Sequence, residues 1–333
     1  MKIPLILCLF LVGFVSNASA DWKAAAAKAV ITPKKNLWMA GYSSRKSGAK
    51  GKLQDLFAKT LVVEDKKGVR LAIITLDLIG VPKSLRVAVE REAQAKYKLS
   101  PSHLLINASH THCGPMIRIV RPIGRNKAER AAYDAIPSDQ EVQRVAETKE
   151  YNNKLQATFI KLIGDCMKNL QPVKLAYNHA RCGFAMNRRL PAENGIRNSP
   201  YPDGPVDHEV PVLQVRNAED KLLAILFGYA CHNTTTGVMQ FNGDYAGWAQ
   251  EYLEAEHRGT VALFVQGCGG DQNPYPRGTI DLAKKHGRTL ATAVEAGLIA
   301  NPKLIDGPLR AALDYVIIDY APPPTRAALE EKA

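Results

Sequence analysis

The chain repeats one unit: a short run of β-branched and aliphatic residues, closed by a loop rich in Gly, His, Asn or Asp, alternating with stretches of helical periodicity. Residues 60–64 and 70–77 read as strands around the turn Asp65-Lys-Lys-Gly68. Residues 84–97 carry Leu85, Val87, Val89 and Ala93 among charges, the pattern of an amphipathic helix covering a sheet, and residues 103–108 read as a further buried strand. Leu155, Phe159, Leu162, Ile163, Cys166, Met167 and Leu170 recur at helical spacing. Strands at 210–215 and 222–229, a helix from Tyr245, a strand at 261–266, a helix over 281–299 and a strand at 312–319 complete the alternation. A hydrophobic content of 46% with 23% charged residues over 333 positions can bury a large core, which excludes disordered and fibrous classes. No Gly- or Ser-rich linker divides the chain. The expectation is an α/β fold of layered mixed β-sheets with flanking helices, one large domain over 21–333.

Both ends carry signals of their own. Residues 1–20 combine Lys2, an apolar run over 3–15 and the small-residue end Ala18-Ser19-Ala20, the pattern of a cleaved export signal. The run is shorter than the roughly 20 residues a membrane span needs. The expected mature protein begins near Asp21 and is secreted or periplasmic. At the other end, Pro322-Pro-Pro-Thr325 caps a run of good helix formers that stops at Ala333, and the domain is expected to be incomplete at its C-terminus.

The formal net charge is +12, and removing Lys2 with the signal leaves +11. The basic residues are scattered and no aromatic-basic motif accompanies them, so the reading is a solvated basic surface without a nucleic-acid partner. Peripheral contact with an anionic membrane surface stays open, as does the oligomeric state. Cys113, Cys166, Cys182, Cys231 and Cys268 remain after cleavage, an odd number that forbids complete internal pairing and assigns no disulfide.

Four segments carry chemistry. In Asn107-Ala-Ser-His-Thr-His-Cys-Gly-Pro115, alternate residues of an extended stretch would aim His110 and His112 at one centre, and neutral imidazole nitrogens suit zinc. Alone, that motif also reads as two loop histidines satisfied by hydrogen bonds. Phe227-Gly-Tyr-Ala-Cys-His-Asn-Thr-Thr-Thr-Gly237 adds His232 at the end of another strand, and three strand-end histidines are better evidence than two. Leu263-Phe-Val-Gln-Gly-Cys-Gly-Gly-Asp-Gln-Asn-Pro274 opens a strand into glycines whose N–H groups can approach developing negative charge. No Lys-Ser/Thr follows those glycines, so this is no phosphate-binding P-loop. Phe184-Ala-Met-Asn-Arg-Arg189 offers guanidinium forks that could orient a carbonyl or a carboxylate, or a solvated surface pair.

In this order and spacing, the motifs resemble the neutral/alkaline non-lysosomal ceramidase family, and the likeness extends to Ala29-Val-Ile-Thr-Pro33 and Met39-Ala-Gly-Tyr42. The resemblance implies a zinc-dependent amidohydrolase that cleaves the amide of N-acylsphingosine or another N-acyl substrate with zinc-activated water. It implies His110 and His232 as zinc ligands, with His112 a neighbour that binds substrate or moves protons. Arg188 matches the family's Asn-Arg motif, and Asp271 and Asn273 lie in its Gly-Asp stretch. The family's further Glu and Tyr ligands are expected beyond residue 333. The family carries Ser where this chain has Asn273, which can donate a hydrogen bond to an oxyanion but cannot relay a proton as a hydroxyl does. Asp244 and Asp271 are carboxylates expected to support the ligands from behind. Two alternatives stand beside this reading. One is a Cys-nucleophile hydrolase using Cys268, or Cys231 or Cys113, with His232 as base. The other is a catalytically inactive lipid- or glycan-binding homologue, because of Asn273.

Overall fold

A computed structural model describes residues 21–45, 47–119, 138–320 and 322–330; the expected export signal, residues 1–20, lies outside the described residues. The elements that build the main sheet and its helices are, in chain order, β1 (Trp22–Val30), β2 (Phe57–Asp65), β3 (Arg70–Leu76), α1 (Lys83–Tyr97), β4 (Leu104–Ala108), α2 (Ser138–Lys168) and β5 (Gln171–Arg181). There follow β6 (Ala185–Ala192), β7 (Gly195–Tyr201), β8 (Glu209–Asn217), β9 (Leu222–Tyr229), α3 (Asp244–Glu256), β10 (Val261–Gln266), β11 (Gln272–Pro274), α4 (Ile280–Ile299), β12 (Lys303–Leu304) and α5 (Arg326–Glu330). The architecture is the expected mixed α/β with layered sheets.

The main sheet runs β10-β9-β8-β5-β1-β2-β3-β4, with β12 paired to β5; β11, β6 and β7 form a separate three-stranded sheet. Only β3 with β4 and β9 with β10 pair in parallel; the connections between them run through α1 and α3 respectively. Parallel neighbours need such a crossover, so each of these βαβ units leaves a free loop at the carboxyl end of its second strand.

Period-two alternation sorts the strands onto two faces. In β2, Ala58 and Val62 meet α1 and α2 through Leu85, Val89, Leu155, Phe159 and Ile163, whereas Leu61 and Val63 face the opposite way. In β10, Ala262 and Phe264 meet α3 and α4, whereas Val261 and Leu263 join Leu61, Trp22 and Val215 on the other side. Residues from strands far apart in the sheet order share this second cluster, so the sheet curls around it and the helices lie outside.

Two polar connections close the curl. Lys59 in β2 is fully buried and donates to Glu254 Oε1 at 2.6 Å and to Ala262 O of β10 at 2.8 Å. At the other end, Asn107 of β4 accepts from Gln266 N at 2.8 Å and donates to Gln266 O at 3.1 Å, so one side chain stands in for a ladder step between the two edge strands. The carboxyl ends of β4, β9 and β10 are thereby brought together.

One expected strand is absent. Residues 312–319 form no strand and pair with none, and Val316, Ile317 and Ile318 are 83%, 91% and 84% exposed. A β-prone sequence needs a neighbour to satisfy its backbone groups, and no described residue provides one. The short terminal helix α5 forms as expected.

Candidate metal centre

The three histidines converge where β4, β9 and β10 end. His110 stands two residues past β4; its N–H donates to Leu78 O at 2.9 Å. The expected extended stretch is not what turns its ring inward. His110 has a φ of 61°, in the left-handed region, and the chain turns immediately after it. Its Nδ1 lies 2.7 Å from Ile79 O. A carbonyl oxygen can only accept, so Nδ1 carries the proton and Nε2 presents a lone pair.

His232 is fixed in the same way. Its N–H donates to Gln272 O at 2.9 Å, and its Nδ1 lies 3.1 Å from Gly269 O, which again leaves Nε2 as the lone pair. The loop approaches this closely because residue 269 has no side chain: a Cβ there would lie 2.6 Å from Cys231 N. The Nε2 atoms of His110 and His232 are 3.1 Å apart, and His112 Nε2 is 3.3 Å from that of His110. All three donor atoms lie within 4.8 Å of one another, a set that fits one metal ion. His112 differs from the others in one respect: its Nδ1 is buried without a partner, so no neighbour fixes its tautomer.

Burial, first of all, keeps the three rings neutral. It depresses His112 to about 3, helped by the charges of His110, His232, Arg45 and Arg188, and His232 to about 4, helped by Arg188. His110 is lowered by the same desolvation. Neutral imidazoles are what a cation requires of its ligands.

Gly41 and Tyr42, from the Met39-Ala-Gly-Tyr42 segment, and Arg45 just after it brace the centre. Gly41, at a φ of +99°, backs directly onto His112; a Cβ would meet that ring at 2.5 Å. Tyr42 packs its ring edge-on against His112, with centroids 5.0 Å apart. Arg45 is buried, has no carboxylate partner among the described residues, and donates to the carbonyls of Ala40, His112, Gly237 and Val238, which pins the two histidine loops to each other. Arg45 follows two serines in an unremarkable polar stretch, and nothing nearby in sequence marks it as a brace.

Of the remaining expected residues, Arg188 sits beside His232, its Nη2 3.4 Å from Nδ1, and donates Nη1 to Asn273 Oδ1 at 3.2 Å. Asn273 is buried and also accepts from Thr234 Oγ1 at 3.3 Å. Asp271 meets Arg188 only through the backbone, accepting Arg188 N–H at 2.8 Å. Asp244 is fully buried and accepts N–H bonds from Thr235, Thr236 and Tyr245, so it holds the loop after His232 and not a histidine. The nitrogens of His232 engage His110, Arg188 and Gly269; none of these contacts is to Cys268, which is exposed. Burial pushes the Cys113 thiol up to about 12 and that of Cys231 well above its usual range, which removes both as thiolate nucleophiles.

Residues 24–290 match the family described as neutral/alkaline non-lysosomal ceramidase, N-terminal. The neutral ceramidase of Drosophila pseudoobscura pseudoobscura is 32% identical over 117 residues, covering 34% of this chain and 17% of that protein. The neutral ceramidase of Drosophila melanogaster is 33% identical over 109 residues, covering 32% and 15%. The crystal structure of neutral ceramidase from Pseudomonas aeruginosa superposes with a TM-score of 0.66 at 20% identity, over 87% of this chain and 46% of that one. A likeness at that identity speaks for the fold. The chain spans less than half the length of the proteins it matches. Matched over most of its length, the chain belongs to the neutral/alkaline non-lysosomal ceramidase family.

Proposed function

We propose that the chain forms the metal-binding part of a zinc-dependent hydrolase that cleaves an amide bond, in N-acylsphingosine or another N-acyl compound. The observation that carries this reading is the convergence of three Nε2 atoms, two of them held as lone pairs by carbonyl acceptors at the opposite ring nitrogen. Zinc bound there would polarise a carbonyl and supply a water acidified to a pKa of about 7. The fixed tautomers support His110 and His232 as the ligands. His112, whose tautomer no neighbour fixes, is the ring able to take up or release a proton at Nε2, the nitrogen that faces the centre. Arg188 places guanidinium N–H groups beside His232, where they can stabilise negative charge developing on a carbonyl oxygen. Asn273, held through its oxygen by Arg188 and Thr234, retains its amide N–H groups as donors for the same oxygen.

A second reading, a binding protein without turnover, is favoured by Asn273 alone, because an amide cannot relay a proton as the family's Ser can. Export through residues 1–20 belongs to the proposal as well, with peripheral contact to an anionic membrane surface; a mature N-terminus at Asp21, read by mass spectrometry, would support export.

Elemental analysis of the purified protein decides the metal. Stoichiometric zinc that is lost in both His110→Ala and His232→Ala is expected, together with loss of N-acyl hydrolysis. Full hydrolysis in either variant would overturn the reading, and zinc-loaded protein that binds N-acyl lipids but cleaves none would establish the second one.

A further inference from the structure

The rim of the centre carries cations that have no counter-charge among the described residues. Arg188 donates both Nε and Nη2 to Gly270 O, at 3.1 and 2.8 Å, and Arg189 donates Nη2 to the same oxygen at 3.0 Å. One carbonyl with two lone pairs thus holds together two guanidiniums that repel each other. Arg277 adds a third. It follows the Tyr275-Pro276 pair on a loop tied to the segment after His232 by Gly278 N–H donating to Thr235 O at 2.7 Å. Its positive charge, with that of Arg189, lowers the pKa of Arg188, after desolvation as the leading cause.

Among the described residues none of the three makes an ion pair with a carboxylate. The nearby Asp244 is sealed behind the site against backbone N–H groups. Guanidiniums usually find bidentate acceptors such as carboxylate or phosphate. Here Arg188 donates to Gly270 O and to Asn273 Oδ1, and Arg189 to Gly270 O alone, so both guanidiniums keep donors open to a ligand.

We infer that the substrate carries an anionic oxygen group, carboxylate or phosphate, within a few bonds of the scissile amide, and that Arg188, Arg189 and Arg277 receive it. The inference rests on the hydrolase reading for the word substrate, but the charge preference stands on the rim itself. A neutral ligand would leave the partly desolvated Arg188 and the exposed Arg189 and Arg277 uncompensated, whereas an anion satisfies them and gains most at low ionic strength.

Three ligands with one dodecanoyl chain separate the possibilities: N-dodecanoylglycine, N-dodecanoylethanolamine phosphate, and neutral N-dodecanoylethanolamine. Binding to the purified protein by calorimetry and hydrolysis by product release are measured in parallel, at two salt concentrations. The expected result is at least about tenfold tighter binding of one or both anions, the size of a charged hydrogen bond. That preference should shrink with salt and collapse towards unity in Arg189→Gln and Arg277→Gln. The tighter of the two anions tells carboxylate from phosphate. Equal or tighter binding of the neutral ligand, or a preference unchanged in both variants, overturns the inference. Hydrolysis of all three without preference would do so while leaving the hydrolase standing. Anion-selective binding without any hydrolysis would do the reverse.

Discussion

At the scale of single residues, the centre stores its sensitivity to acid in buried imidazoles. A histidine whose folded pKa lies below its ordinary value of about 6.5 takes up its proton only in the unfolded chain across the window between the two. Protons therefore favour unfolding: the stabilising contribution is complete above about pH 6.5 and falls as pH drops towards about 4 for His232 and about 3 for His112. The melting temperature of metal-stripped protein is expected to fall between pH 7 and 4, and His112→Gln is expected to flatten that dependence. An unchanged slope in the variant would place the acid sensitivity elsewhere. Gly41 provides a second test at this scale. In Gly41→Ala, the new Cβ both opposes a φ of +99° and strikes the His112 ring. Gly51 has a φ of +101° with nothing within 4 Å, so Gly51→Ala imposes the backbone strain without the collision. Gly51→Ala should lose about 1 kcal/mol of stability and Gly41→Ala more, and in the proposed hydrolase only Gly41→Ala should lower kcat/KM, by roughly a hundredfold for an ångström-scale shift of His112. Equal activity in the two would remove His112 from the chemistry.

At the scale of elements, the meeting of β4 and β10 decides whether His110 and His232 share a centre. Asn107 makes that meeting with two hydrogen bonds to Gln266. Asn107→Leu keeps the volume and breaks both, leaving the Gln266 N–H and carbonyl unpaired, a loss of about 2 kcal/mol. A lower melting temperature is expected, together with weaker binding of the zinc proposed above; lowered stability with undiminished metal affinity would show that the loops hold the histidines without the strand closure. What could be read in the sequence divides along the same line. Strands β2, β3, β8, β9 and β10 were legible because their runs of β-branched and aliphatic residues mark a strand by local pattern alone. Trp22-Lys-Ala-Ala-Ala-Ala-Lys-Ala-Val30 is different: its alanines favour helix, and it is a strand because β2 and β5 pair along it. The histidines were legible as strand-end residues, but the route to a common centre was not. His110 turns inward through a left-handed backbone, and Arg45 reaches loops nearly two hundred positions away. Long-range hydrogen bonds of that kind leave no periodicity to detect.

At the scale of the whole molecule, the described surface combines scattered positive charge with one concentrated apolar stretch. Tyr315, Val316, Ile317, Ile318 and Tyr320 are between 75% and 99% exposed, in a segment whose composition is that of a buried strand. Edge-competent, uncovered segments with β-branched and aromatic residues template pairing with another chain, while a net charge of +12 opposes close approach of two copies. The two effects respond oppositely to salt. Screening shortens the reach of the repulsion to about 10 Å at 0.1 M, yet leaves apolar burial intact. Self-association measured by light scattering should therefore rise with ionic strength. In Val316→Lys/Ile318→Lys, which places two charges in the stretch without touching the metal centre, the rise should be suppressed while zinc content stays the same. Association that is unchanged in the double variant would shift the responsibility to another surface. Association that falls together with zinc content would mean that residues 315–320 support the centre from a distance and do not act as an independent sticky strand.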